Sequence, residues 1–246
     1  MKLLVCVAKT PDTTSKISFT DNNTRFNEAG VQFIVNPYDE WYALVRAVEI
    51  KEKLGGNVTV LTVGGADCEP ILRKALAIGA DDAVRIDKVS DDSMDIAHQI
   101  AEHARSQNYD IIFCGKETID HNGSQVGGMI AAMLSLPYIS LAVKLDIEDG
   151  KKVLYREVKG GTEILEVEGP MVLSAAKGMA EQRIPNMPGI MKARTKPLAI
   201  VPAVDVTRTS EVLAFSVPPA KKECTMVNPD QPEELVRLLR EEAKAL

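Results

Sequence analysis

Up to about residue 140 the chain switches repeatedly between short apolar runs and longer stretches of helical period. The runs at residues 3–8, 31–35, 57–63, 83–86 and 110–114 read as strands, and NVTVLTV at 57–63 is the plainest of them. Between them, residues 39–54, 67–78, 93–107 and 127–134 read as helices. Trp41, Leu44, Val45, Val48 and Leu54 share a face of the first, and Ile96, Ile100 and Ala104 are in phase in the third. Asp39 and Glu40 suit the positive end of the first helix, and Gly55-Gly56 stops it. A strand that is apolar throughout needs cover on both faces. Strand–helix alternation at this spacing closes βαβ units, whose right-handed crossovers place helices on both sides of a mainly parallel sheet. The predicted class is therefore α/β and Rossmann-like.

The pattern changes after about residue 140. Residues 142–147, 152–158 and 163–167 alternate apolar and polar side chains, with turns at Asp149-Gly150 and Gly160-Gly161. They predict an antiparallel hairpin extension. Residues 171–175 are positioned to return to the main sheet. From residue 183 to 227 prolines are frequent and no period holds, so the stretch reads as a long C-terminal arm lying on a partner. Residues 232–246 close the chain as an amphipathic helix. The expected division is residues 1–182, a core domain with its hairpin extension, and residues 183–246, a loop and arm. Residues 13–26 are polar and irregular, a hairpin-like excursion.

A formal net charge of -6 argues against a nucleic-acid binder, which needs a basic face to neutralise phosphates. No run approaches the roughly 20 apolar residues of a membrane helix. The N-terminal apolar stretch runs straight into Thr10-Pro11-Asp12 and reads as a first buried strand, with no signal peptide. Cys6, Cys68, Cys114 and Cys224 stand too far apart for a metal or redox motif and are expected to be unpaired, as in a reducing compartment. His98 and His103, five apart in a helix, do not share a face as metal ligands do, and Ser124 has no evident base. No catalytic constellation emerges.

Ligands of open parallel sheets bind at the carboxyl ends of the strands. Four such ends carry small or polar residues: Ala8-Lys9-Thr10, Asn36-Pro37-Tyr38, Val63-Gly64-Gly65 and Gly115-Lys116. The last continues as GKETIDHNGSQVGG, residues 115–128, a strand followed by a glycine-rich loop and a helix start. Free N–H groups and the helix dipole there favour a phosphate. The loop has neither the P-loop nor the G-x-G-x-x-G pattern. Glycines serving only turns and packing remain an alternative.

Three stretches together resemble the β (small) subunit of an electron-transfer flavoprotein. The first is VCVAKTPD at 5–12 with VNPYDEWYALVRAVEIKEKLG at 35–55. The second is ALAIGADDAVRI at 75–86 with residues 115–128. The third is REVKGGTEILEVEGPMVLSA at 156–175 with IPNMPGIMKARTKPL at 184–198. Their order and spacing are kept, and the resemblance covers nearly the whole chain. Two features depart from it: Lys159 stands where an acidic residue precedes the Gly-Gly turn, and Thr13 and Thr14 follow Asp12 where an aromatic is frequent.

The resemblance implies an adenine-nucleotide-binding subunit of a heterodimer that catalyses nothing alone. The α subunit carries FAD as the redox centre; this subunit braces it and holds AMP. Electrons arrive from acyl-CoA or related dehydrogenases and leave to a quinone reductase. By position, the nucleotide pocket takes Cys6, Ala8, Asn36, Asp39 and Val63, then Gly115, Asp120, Ser124, Gln125, Val126 and Gly127. A side chain at Gly127 would block it. Tyr38 falls beside the flavin of the partner. Residues 183–192 match a recognition loop for dehydrogenases, with Met187 as its anchor and Pro188 and Ile190 alongside. Glu157 matches a Glu that helps release the flavin domain. The implied location is cytoplasmic, or the mitochondrial matrix in a eukaryote. Within the family, bifurcating members hold a second FAD here, reduced by NADH, and Gln125-Val126-Gly127 agrees with them. A stand-alone nucleotide-binding stress protein and an ATP-using enzyme are the readings outside it.

Overall fold

The computed structural model describes residues 1–148, 150–221 and 223–246, so Asp149 of the expected Asp149-Gly150 turn lies outside the described residues. Strand β1 (Lys2–Cys6) shows how the sheet is built. Leu3 and Val5 enter one apolar core while Leu4 and Cys6 enter another. Successive side chains of a strand face opposite ways, so an unbroken apolar run is what two covered faces require. After β1 come β2 (Lys9–Pro11), β3 (Phe19–Thr20), β4 (Arg25–Phe26), β5 (Phe33–Val35) and α1 (Asp39–Leu54). Then β6 (Asn57–Val63) leads through a 3-10 turn at Ala66–Cys68 into α2 (Glu69–Ile78). β7 (Asp82–Asp87), α3 (Ser93–Arg105), β8 (Ile111–Gly115) and α4 (Val126–Leu134) complete the alternating part. The later elements are β9 (Tyr138–Glu148), β10 (Lys151–Val158), β11 (Gly161–Val167), β12 (Met171–Ala175), α5 (Met187–Ala193), β13 (Leu198–Pro202) and α6 (Pro232–Glu241).

Nine strands form one sheet in the order β11-β10-β9-β12-β8-β1-β6-β7-β13. Pairing is parallel from β9 through β13 and antiparallel only along β9-β10-β11. Trp41, Leu44 and Val48 of α1 and Leu72 and Leu76 of α2 cover one face. Ile100 and Ala104 of α3 and Ile130 of α4 cover the other. The α/β class, the mainly parallel sheet and the helices on both faces are as the sequence predicts.

Three details differ. The run 31–35 supplies β5, but β5 pairs antiparallel with β2 in a small separate sheet. Both sides of β1 are already taken by β6 and β8, which leaves no place beside it. The antiparallel hairpins are as predicted, but their first strand starts at Tyr138, ahead of the expected 142, and so stays continuous with the main sheet. The first residues of β9 pair parallel with β12, and from Ala142 onward it pairs antiparallel with β10. Leu141, at a left-handed φ of 56°, marks the irregularity between the two ladders.

The stretch from residue 183, read as an arm without period lying on a partner, contains α5 and β13. Leu198 packs on one core and Val201 on the other, as the last strand of the sheet. Beyond β13 the chain is fastened by Asp92, the N-cap of α3. Its carboxylate accepts N–H groups from Met94, Thr209 and Ser210. These bonds, the one from Thr209 foremost, hold the carboxyl down at about 2. Two compact units result, Met1–Ala214 and Phe215–Leu246. In the second, Arg237 of α6 bonds Glu234 and Glu241 on one helix face. Among the described residues no helix is long and apolar enough to cross a membrane.

Candidate functional site

From β1 the chain goes to β6 and β7 on one side of the sheet and then to β8 on the other. The order therefore reverses between β1 and β8, where a parallel sheet leaves a crevice at its carboxyl ends. A cleft of about 330 Å³ opens there. The end of β1 contributes Cys6 and Ala8, β6 contributes Val63, and β8 contributes Gly115. The loop and the first turn of α4 add Asp120, Ser124, Gln125, Val126 and Gly127. These are residues the sequence assigns to a nucleotide pocket, and the fold brings them together.

One end of the cleft is the start of α4. Among the described residues no side chain caps this helix, in contrast to α3 with Asp92. The first N–H groups of a helix have no partner inside it, and the dipole makes them an anion site. Gly127 has a further reason to be glycine: a Cβ would stand 3.1 Å from the Tyr138 ring and 3.4 Å from the Cys114 Cβ. A side chain there disturbs the seating of α4 as well as the cleft, so Gly127→Asp does not separate the two effects. The Ser124 hydroxyl donates to Glu117 at 3.1 Å, which ties the loop back on itself.

Asn36, Tyr38 and Asp39 stand apart from the cleft lining. Asn36 is fully buried, and both ends of its amide are used. Nδ2 donates to the Glu117 carbonyl at 2.9 Å and Oδ1 accepts from Ile119 N–H at 3.0 Å. Asn36 thus shapes the glycine-rich loop from behind. Asp39 is half-buried beside the same loop; burial raises its carboxyl, and Lys116 opposes the shift. Tyr38 projects outward at 62% exposure from a strained backbone, φ 65° and ψ -99°.

The structure adds Glu40, which the sequence left outside the pocket, and sets the charge state of its neighbours. Glu40 is buried in the cleft wall, and its Oε2 accepts the Ala8 N–H at 2.7 Å. Burial drives its carboxyl up to about 8, against the Ala8 N–H and helped by Asp120 and Asp39. Cys6 is held well above the ordinary thiol range, first by its hydrogen bond with Cys114 and then by burial, so it is a thiol at neutral pH. Lys9 is paired with Asp67 and Lys116 with Glu117. Glu28 and Asp120 also line the cleft, and Asp91 there is paired with Arg208, so the wall is acidic on balance; the start of α4 is an anion-attracting element beside it.

A model of the electron transfer flavoprotein domain matches residues 24–206. The electron transfer flavoprotein subunit beta of Bacillus subtilis (strain 168) is 35% identical, aligned over 100% of both chains. This chain belongs to the electron transfer flavoprotein β-subunit family. The subunit beta of Syntrophomonas wolfei is 36% identical over 95% of this chain and 92% of its own. The mitochondrial subunit beta of Arabidopsis thaliana is 33% identical over 99% of each.

In this electron transfer flavoprotein chain the segment expected as a recognition loop, residues 183–192, is helical from Met187 onward. Asn186 caps α5 by accepting the Gly189 N–H at 2.8 Å, and Pro188 suits a first turn. Gly189 lets α5 approach α2: a Cβ there would stand 2.5 Å from the Ala77 carbonyl oxygen. Arg73 of α2 donates to the carbonyls of Ala193 and Lys196 at 2.8 and 2.7 Å and fastens the other end. Met187 is 68% exposed, and Pro188 and Ile190 are exposed beside it. Glu157 is exposed near the tip of the β10–β11 hairpin, opposite Thr162.

Proposed function

We propose that this β subunit holds AMP in the cleft at the ends of β1, β6 and β8 and braces the FAD of an α subunit. The heterodimer then carries electrons from acyl-CoA or related dehydrogenases to a quinone reductase, in the cytoplasm. The observation that carries the nucleotide reading is a small cleft at the strand-order reversal that opens onto the uncapped start of α4. A single phosphate suits that arrangement. The acidic wall disfavours a run of phosphates, and about 330 Å³ is at the low end for small-molecule sites. This supports a mononucleotide over a second FAD.

For the flavin of the α subunit, Tyr38 offers an aromatic surface held outward by its backbone. FAD, when bound, supplies reversible uptake of electrons; the protein supplies position and surrounding charge. Met187, Pro188 and Ile190 on α5 support docking to dehydrogenases, and Glu157 supports a role in releasing the flavin domain afterwards. The chain acts as a carrier subunit in this reading, without chemistry of its own.

The test is to co-express the chain with its α partner, denature the purified complex and count the cofactors. One FAD and one AMP per heterodimer is the expected result. Two FAD and no AMP would replace this reading with the bifurcating one.

A further inference from the structure

Glu40 is more than a helix-start acid. A carboxylate can complement a helix dipole without leaving water, yet Glu40 is only 7% exposed and lines the cleft. Its Oε2 accepts the Ala8 N–H, just past β1. Its Cγ occupies the space beside Gly115: a Cβ on that glycine would stand 2.6 Å from it and 3.0 Å from the Glu40 backbone nitrogen. One side chain therefore touches both strand ends that flank the reversal of strand order. Asn36, just ahead of α1, makes a second link, from the Ala8 carbonyl to the loop after β8, but it stands outside the cleft lining.

We propose that Glu40 is a positioning residue of the nucleotide cleft, fixing the Ala8 amide against Gly115 and so setting the width of the slot that receives a nucleoside monophosphate. The inference rests on the nucleotide reading given under Proposed function. It has a consequence in charge. The groups that act on Glu40 are Asp39 on its own helix, Asp120 on the loop after β8 and the Ala8 N–H after β1. Cys6 on β1 lies within its field, and Lys116 and Glu117 on the loop are paired with each other. With its carboxyl raised to about 8, Glu40 is neutral at pH 7 and adds no charge to an already acidic wall. Above that pH it becomes an anion facing an anionic ligand. Nucleotide affinity is thus fully present below about pH 8 and declines as pH rises through it.

The test uses the heterodimer with its α partner, freed of nucleotide and titrated with AMP by calorimetry. Wild type, Glu40→Gln and Glu40→Ala are compared between about pH 7 and 9.5, above the second phosphate ionisation at about 6. Gln keeps an acceptor for the Ala8 N–H and nearly the same bulk; Ala keeps neither. At pH 7 Ala is expected to weaken binding roughly tenfold, as loss of a buried hydrogen-bond partner does. Gln is expected to stay within about threefold of wild type, since it retains that bond. Wild-type affinity should fall roughly tenfold across the range, the equivalent of a one-unit shift of the carboxyl on binding, and Gln should be flat.

An Ala variant that binds like wild type, or a Gln variant with the wild-type pH slope, overturns the proposal while leaving the nucleotide reading intact. A wild-type heterodimer that does not bind AMP overturns that reading and this inference with it. Thermal melts of all three proteins show whether Ala has lost its fold; if it has, the Gln pH profile alone decides.

Discussion

Gly115 is where the end of the β8 strand meets the start of α1, and its missing side chain is filled by Glu40 from the other side. Its φ is not in the left-handed region, so the demand is for space alone. Gly115→Ala must move Glu40 backbone as well as side chain. Crowding of this kind costs about 1–3 kcal/mol, and in a chain of this size each kcal/mol lowers Tm by about 2–4 °C. A scanning-calorimetry comparison with wild type should show a drop of that order. An unchanged Tm would mean that α1 shifts without cost. Single positions were the least legible scale in the sequence. Asp39 and Glu40 look alike there as first-turn acids, and only the fold separates a half-buried residue beside a loop from a buried one in the cleft. Asn36 shows the same limit: its place at a polar strand end is visible in the sequence, but its two bonds to a loop some eighty residues later are not.

At the scale of elements, strands buried on both faces announce themselves, because parity assigns every side chain to an apolar core. β6 and β12 are read from the sequence at their actual boundaries for this reason. What parity does not encode is the neighbour, which is why β5 is read as a strand and its separate pairing with β2 is not. α5 escapes for a different reason. Ala193 is its one buried residue, so it carries no periodic face, and only the Asn186–Pro188 cap hints at a helix. The same fact makes it a presenting element. Arg73 and Asn186 hold its two ends, leaving Met187 outward. A flexible thioether suits pockets of varied shape. Met187→Ala is expected to weaken docking to a dehydrogenase by about 1–3 kcal/mol, the range of an exposed anchor. Electron transfer should slow at limiting dehydrogenase, with Tm, AMP content and dithionite reduction of the flavin unchanged. A fall in Tm alongside the loss of docking would assign Met187 to the core instead.

At the scale of the molecule, β13 and the bonds to Asp92 keep the chain within the first unit through Ala214. A chain cut after Ala214 should therefore retain the melting behaviour of the α/β core. It should fail to form the heterodimer, if the remaining arm is what grips the α subunit. Co-purification with a tagged α subunit measures this, and normal pairing of the cut chain would remove the arm from the interface. The strand order also says something about how the protein is made. β7 ends at Asp87, and the strand that pairs with its outer side starts only at Leu198. On a ribosome adding about 5–20 residues per second, that side waits roughly 5–20 s for its partner. Its N–H and C=O groups meanwhile offer a template to any other extended chain nearby. A nascent or truncated chain that stops short of Leu198 is thus left with an aggregation-prone margin, which the finished protein has covered.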